Sequence, residues 1–231
     1  MIAMIEKQAV QIRLEDWLSR DIMDAMVGLP DLVVVPLDHR QAASLVVTYH
    51  YLHRRPPMQY AFGLVGAEGV VGVLTLGIPA SRHLQIGMCP TNPDIVIELN
   101  RLWVHDSMPR NSETWFIAHA LRRVPPRIIV SYADTLRGHV GYVYRAANFH
   151  YAGWTDMERK TPRYDYIVPG KHTREAFRGG AAQYVRRVRR APKVKYWTVT
   201  GDRRQRRDLA RLCRWPSLDW HAIPPPVEVT G

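Results

Sequence analysis

Residues 128–153 bring together the side-chain types that do chemistry. The β-branched run Ile128–Val130 is followed by Ser131-Tyr132-Ala133-Asp134. Then come Gly138-His139-Val140-Gly141 and Tyr144-Arg145-Ala146-Ala147-Asn148-Phe149-His150-Tyr151-Ala152-Gly153. A short apolar run of this kind suits a buried parallel strand. Ser131 and Asp134 would then lie near its carboxyl end, where open α/β sheets collect their functional groups. Val140, Val143, Tyr144 and Ala147 recur at helical spacing, which puts Tyr144 beside the strand end that carries Asp134. An aspartate there can take a proton from an amine. The plainer alternatives are that Asp134 caps the next helix and that Tyr144 is a core side chain.

Further candidates lie upstream. His50-Tyr51 ends the first predicted helix, and His50, Asp134 and His139 form a two-histidine, one-carboxylate set of the kind that holds iron(II) with open positions. First-turn packing is the other reading of His139. Glu98, Asn100 and Arg101 sit at a strand end. Arg101 there either pairs with Glu98 or holds a phosphate or carbonyl oxygen. The loop Pro109-Arg110-Asn111-Ser112 enters a helix, whose N-terminal N–H groups suit an anion. Simple capping by Asn111 or Ser112 is the competing role. The remaining histidines have no special spacing.

Around these residues the hydrophobic pattern predicts the elements that position them. Residues 1–37 read as a strand or helix ending at Pro36. Asp38 is an N-cap for a helix from His39 to His53, stopped by Pro56-Pro57. Tyr60–Gly66 and Val70–Ile78 flank Ala67-Glu68-Gly69 as a hairpin. Asp94–His105 reads as a strand. The next helix shows Ile117, Ala120, Leu121 and Val124 as its core stripe and ends at Pro125-Pro126, with strand Arg127–Ala133 after it. Beyond Gly170 the pattern loosens, and Pro224-Pro225-Pro226 reads as extended.

Charge is placed unevenly. The 231-residue chain carries +11, and the segment from Lys171 to Arg214 holds fifteen Lys/Arg against three acids. Arg186, Arg187, Arg189, Arg190, Lys193, Lys195, Arg203 and Arg204 would bind a phosphate backbone. Tyr184, Tyr196, Trp197 and Trp215 interleave with them and could stack on exposed bases. This gives an expected division into a catalytic domain, residues 1–170, and a basic nucleic-acid-binding extension, residues 171–231. A hydrophobic content of 46% supports a real core. No segment has the apolar length of a membrane span, and Glu6, Lys7, Arg13, Glu15 and Asp16 replace a signal sequence. Cys89 and Cys213 are too few and too poorly spaced for a disulfide framework or a zinc site. A cytoplasmic location is the expectation.

Two resemblances follow from these residues. Tyr144-x-x-x-Asn148-Phe149-x-Tyr151-x-Gly153 resembles the last motif of the GNAT acyltransferases, and the predicted element order is theirs. It implies an α/β (α+β) fold, a mixed central sheet flanked by helices, with Tyr144 where many such enzymes keep a general acid. The glycine-rich phosphate loop of that superfamily is absent at Pro109–Ser112. More closely, His50-Tyr51, Glu98-Leu99-Asn100-Arg101-Leu102-Trp103, Pro109-Arg110-Asn111-Ser112, Ser131-Tyr132-Ala133-Asp134 and Gly138-His139 occur in the order seen in the Mom family of phage DNA-modification proteins. That resemblance spans roughly residues 38–168. It implies conversion of adenine in phage DNA to N6-carbamoylmethyladenine, which shields the DNA from host restriction endonucleases. Asp134, Tyr144, Ser131, His50 and Tyr51 would then be catalytic. Arg101, Asn100, Arg110, Asn111 and Ser112 would bind the donor, either acetyl-CoA or an activated glycine such as glycyl-tRNA. Expected partners are double-stranded DNA and, for the latter donor, tRNA, with a homodimer left open. Alternatives are an N-acyltransferase or tRNA-dependent transferase acting on another amine, and a non-enzymatic DNA binder. A methyltransferase is disfavoured because Asn92-Pro93-Asp94 does not supply the Asp/Asn-Pro-Pro-Tyr motif.

Overall fold

The computed structural model describes residues 31–67, 69–156, 160–167 and 186–220. Readings that fall on residues 1–30, Glu68, Tyr184 and 221–231 lie outside the described residues.

The molecule is a mixed α/β fold around a seven-stranded sheet. In chain order the elements are β1 (Val33–Pro36), α1 (His39–Tyr49), β2 (Tyr60–Gly66), β3 (Gly69–Gly77) and α2 (Arg82–Met88). Then come β4 (Val96–Val104), α3 (Ser112–Arg122), β5 (Ile128–Asp134), α4 (Tyr142–Ala146) and β6 (His150–Trp154). The last are β7 (Tyr164–Ile167), β8 (Arg186–Arg189), β9 (Lys193–Val199) and α5 (Arg203–Leu212). The sheet order is β1-β2-β3-β4-β5-β9-β6, and β7-β8 form a separate two-stranded ribbon. Neighbours in the large sheet are antiparallel except β4 and β5.

Local chemistry accounts for the boundaries. Asp38 caps α1 by accepting from the Arg40 and Gln41 N–H groups, as its position predicts. The helix stops at Tyr49, earlier than the predicted His53, because His50 turns extended. α4 is also shorter than its apolar spacing suggests. Gly141 adopts a left-handed φ of 90° and lies against the Tyr196 ring. A side chain there would meet both strain and the ring, so the helix starts only at Tyr142.

One face of the sheet packs under α3 and α4 through Leu74, Leu76, Ile97, Phe116, Ile117 and Ile129. The other buries Val35, Val46 and Val73 beside α1 and Met88, Ile128 and Val130 farther along.

A boundary at residue 170 does not divide this structure. β9, from within the expected basic extension, pairs along the whole of β5 from Ile128↔Val199 to Asp134↔Lys193 and along β6. Its Tyr196 is fully buried and its Trp197 nearly so. Neither ring is available to stack on a base, because both complete the core.

Candidate active site

β4 and β5 run side by side only from Val96↔Ile128 to Glu98↔Val130. Both strands continue past that rung, so they part there and open a fork. On its other edge β4 bulges. Thr75 pairs with Arg101 and Leu76 with Leu99, which leaves Asn100 as the extra residue. Bulges re-aim side chains beside active sites. Here the bulge keeps Leu99, Leu102 and Val104 on the core side with α3. Glu98, Arg101 and Trp103 take the opposite face.

Ser131 bridges the fork. Its hydroxyl donates to the Leu99 carbonyl at 3.0 Å, where a continued ladder would have offered a backbone N–H. The Tyr144 hydroxyl lies next to the Ser131 hydroxyl, whose hydrogen bonding lowers the phenol's pKa against the larger effect of burial. Tyr144 is 8% exposed and packs against Phe149 and Tyr196 at centroid distances of 5.2 and 5.1 Å. Burial raises its pKa, so the phenol stays protonated at neutral pH. Ser131 and Tyr144 are therefore brought together. Asp134 projects from the other face of β5 and does not share their hydrogen bond.

Asp134 has its own company. Its Oδ2 accepts from the Lys193 ammonium at 3.2 Å and lies 3.5 Å from the donating Tyr51 hydroxyl. Its Oδ1 accepts from the Leu136 N–H at 3.2 Å and so caps the turn Thr135–Arg137. His50 stacks on Tyr51 at 4.4 Å, and the Arg137 guanidinium lies 5.2 Å over the Tyr51 ring. Burial first, then the Asp134 charge, pushes the Tyr51 hydroxyl up to about 12. His50 is buried, and desolvation followed by the charge of Arg101 lowers it to about 4. Its Nδ1 accepts from the Leu52 N–H at 3.1 Å, which leaves the ring proton on Nε2.

The iron(II) set does not form. Among the described residues no group of three His, Cys, Asp or Glu side chains could hold a metal ion. The Asp134 oxygens already face an ammonium, a phenol and an amide. His50 turns its free lone pair to the backbone, and His139 is exposed.

At the mouth of the fork Arg101 is half-buried. One terminal nitrogen donates to the Asn100 carbonyl, while its buried Nε has no partner. Burial, then the neighbouring Arg54 charge, lowers its pKa. No carboxylate comes within ion-pair distance of it among the described residues, so the Glu98–Arg101 pair is not made. A desolvated guanidinium that keeps a buried N–H unpaired is costly to hold in place, which marks Arg101 as a candidate functional group. Asn100 is committed elsewhere. Its Oδ1 accepts from Thr75 at 2.6 Å and its Nδ2 donates to the Pro57 carbonyl at 2.8 Å, which staples the 50–57 segment to the bulge. That is a positioning contact rather than a donor-binding one.

Glu98 is the residue that sequence reading undervalued. It occupies the last rung before the fork. Desolvation pushes its carboxyl up to about 7, against the opposing pull of Arg101 and Lys193. A carboxylate poised near neutrality is suited to proton abstraction. The available signal was one acid inside the apolar strand Val96–Val104.

The loop before α3 keeps its predicted place but not its predicted cap. Asn111 stands at the cap position in a left-handed conformation, φ 74°, with no side-chain cap bond. The Ser112 hydroxyl turns back to the Pro109 carbonyl at 2.6 Å. The helix N–H groups are left without a side-chain acceptor, and Arg110 is exposed beside them.

A model of the Mom protein family matches residues 31–203. The chain belongs to the Mom protein family. The methylcarbamoylase Mom of Escherichia phage Mu is 34% identical over 133 residues, 54% of this chain and 55% of that protein. The match thus spans about half the length of that relative. Among solved structures, a GNAT-family acetyltransferase from Bacillus cereus ATCC 10987 shares 12% identity at a TM-score of 0.36, over 62% of this chain and 71% of that one. The apo form of an agmatine N-acetyltransferase mutant shares 9% identity at a TM-score of 0.41, over 72% and 98%.

The span matched to the Mom family runs from before β1 through β9, so it contains every residue of the fork and its rim. The basic residues divide into two sets. Lys193 belongs to the fork through Asp134, and Lys195 lies over Trp215 at 5.1 Å. Arg186, Arg187 and Arg189 are exposed on β8, with Arg187 4.1 Å over the Tyr164 ring. The Arg190 N–H donates to the Arg163 carbonyl at 2.9 Å. α5 exposes Arg203, Arg204, Arg206, Arg207 and Arg211. It is started by a capping box between Asp202 and Gln205 and held by Leu209 and Ala210 against the sheet. No helix among the described residues is long and apolar enough to cross a membrane.

Proposed function

We propose that this protein is a transferase that converts adenine in phage DNA to N6-carbamoylmethyladenine and so protects it from host restriction endonucleases. The observation that carries this reading is the Mom-family match across the whole fork, where a near-neutral carboxylate faces a guanidinium with an unused N–H.

The amine of a paired adenine is unreachable inside a duplex, so the base must leave the stack. Glu98, about half ionised at pH 7 and more so above it, takes a proton from that amine as its nitrogen attacks the donor carbonyl. Arg101 holds the carbonyl oxygen as it gains charge. Tyr144, on the α4 side of the sheet but close enough through the fork to feel the Glu98 charge, is kept protonated by burial and returns a proton to the leaving group. Asp134, Lys193 and Tyr51 fix the rim. The uncapped start of α3 and Arg110 receive the donor's phosphate groups.

An activated glycine, such as glycyl-tRNA, supplies the right atoms. In the first step the N6–carbonyl bond forms, the donor's ester bond breaks, and the leaving oxygen is protonated. The glycyl amine then attacks C6 and the C6–N6 bond breaks. The old N6 becomes the carboxamide nitrogen and no atom is lost. A plain acetyl transfer from acetyl-CoA would lack that nitrogen and need a later amidation. Mass spectrometry of nucleosides from DNA of expressing cells tests the reading: carbamoylmethyladenine is expected, labelled when glycine is labelled. Unmodified DNA would end the transferase reading; label from acetate alone would end the glycine route.

A further inference from the structure

A hollow of about 560 Å³ lies where β1, the end of α1, the β2–β3 turn and the β4–α3 loop meet. We propose that it receives an unstacked purine base of the DNA strand. This rests on the reading above only in taking DNA as the substrate.

Its walls include Tyr49, Trp103, Val71 and Met108, with Asp31 and His105 among them. Tyr49 lies flat on Trp103, at 4.6 Å and 12°, and yet is 51% exposed. A large ring held rigid and still open to solvent is a stacking platform. His105 stands edge-on to Trp103, at 6.2 Å and 85°. Its Nδ1 accepts from both the Ser107 N–H at 3.2 Å and the Ser107 hydroxyl at 2.7 Å. The ring proton therefore sits on Nε2 and is left as a donor. Asp31 supplies an acceptor. One donor, one acceptor and flat apolar walls match the edge and faces of an aminopurine, and the volume is that of a small-molecule site.

The surroundings favour a base attached to a strand over a free molecule. Trp103 stands two residues beyond Arg101 on the same face of β4, and Lys193 and Lys195 of β9 share that face through the β5 register. Arg110 follows the Ser107–Pro109 wall and is exposed. The exposed Arg110 thus stands beside the hollow where a strand's phosphates would run, with Lys193 and Lys195 farther along the same face.

Equilibrium dialysis on the full chain tests the proposal with AMP, ribose 5-phosphate, a purine-containing single-stranded oligonucleotide and coenzyme A. AMP should bind and ribose 5-phosphate should not. The oligonucleotide should displace AMP. Tyr49→Ala, a change at an exposed ring, should weaken AMP at least tenfold, and Asp31→Asn should weaken it less. No AMP binding, or undiminished binding by Tyr49→Ala, overturns the proposal. Displacement by coenzyme A but not by the oligonucleotide would assign the hollow to a donor and also overturn it. AMP and oligonucleotide binding with no modified adenine in cellular DNA would uphold the hollow while ending the transferase reading.

Discussion

The fork between β4 and β5 and the outer basic elements β8 and α5 solve opposite electrostatic problems. At the fork the ionisable groups are few and burial sets their state. Glu98 is pushed up to about 7 and His50 down to about 4. On β8 and α5 the charges are many and solvated, and the ion pairs of α5 are long and exposed, such as Arg204–Asp208 at 4.0 Å. Surface pairs of that kind contribute little to stability, so those arginines remain at the disposal of a polyanion. Under the proposed function, reactivity would come from charge withheld from water, and capture from charge left in it. Substitutions in the two regions should therefore fail in different ways.

The largest effect should come from Glu98→Gln. Product formation is expected to fall about 10²–10⁴-fold, with DNA affinity retained. Wild-type activity should rise with pH through about 7 as Glu98 ionises. The stability effect runs the other way. Because burial raises the carboxyl's pKa in the fold, the folded state holds that proton more tightly than the unfolded one. Stability is lost as pH rises from about 4.5 through about 7,. Glu98→Gln should thus melt higher than wild type above pH 7 while being inactive. A variant that is both active and unchanged in melting would dissolve the contrast.

Tyr144→Phe should slow product formation about 10²-fold, measured by nucleoside mass spectrometry, without changing DNA binding. If the rate holds and only about 1 kcal/mol of stability is lost, the hydroxyl serves the Ser131 bond alone.

Replacing Arg186, Arg187 and Arg189 by Ala should act in the other region. The salt dependence of DNA binding should fall by up to roughly 3 units, about 0.9 per phosphate contact. Turnover at saturating DNA should be unchanged. An unaltered slope would show that β8 does not touch DNA.

The smallest effect tests burial itself. His50 ionises less readily in the fold than in the unfolded chain. Its contribution is present above about pH 6.5 and is lost as pH falls toward 4,. Denaturant melts should show about 2 kcal/mol of acid destabilisation from this group once solvent screening is allowed for. That loss should be absent in His50→Asn, which keeps an acceptor for the Leu52 N–H.

Short-range chemistry was readable without the structure. The Asp38 cap, the hairpin, β5 with Ser131 and Asp134 at its end, and the order of elements from α1 to β6, α2 excepted, follow from periodicity and turn residues. What escaped depends on distant neighbours. Glu98 is held near neutrality only because the strands around it exclude water. Asn100 is satisfied by Thr75 and Pro57, twenty-five and forty-three residues away. The iron set was picked from ten histidines on sequence spacing, and spacing does not show that Lys193 fills the aspartate. β9 had a signal: Val194 and Tyr196 alternate with Lys193 and Lys195, inside and out. The surrounding arginines masked it as part of a charged tail.

The late position of β9 has a consequence for synthesis. β5 and β6 emerge from the ribosome with a gap between them that only residues 193–199 fill. Until then both edges are unpaired, and Asp134 lacks Lys193. The nascent chain thus carries an unfinished sheet until β9 emerges, and Asp134 gains its ion-pair partner only near the end of the described chain. Shortening the protein before Lys193 to strip away its arginines would remove the seam of the sheet, and the product would report on folding rather than on DNA binding.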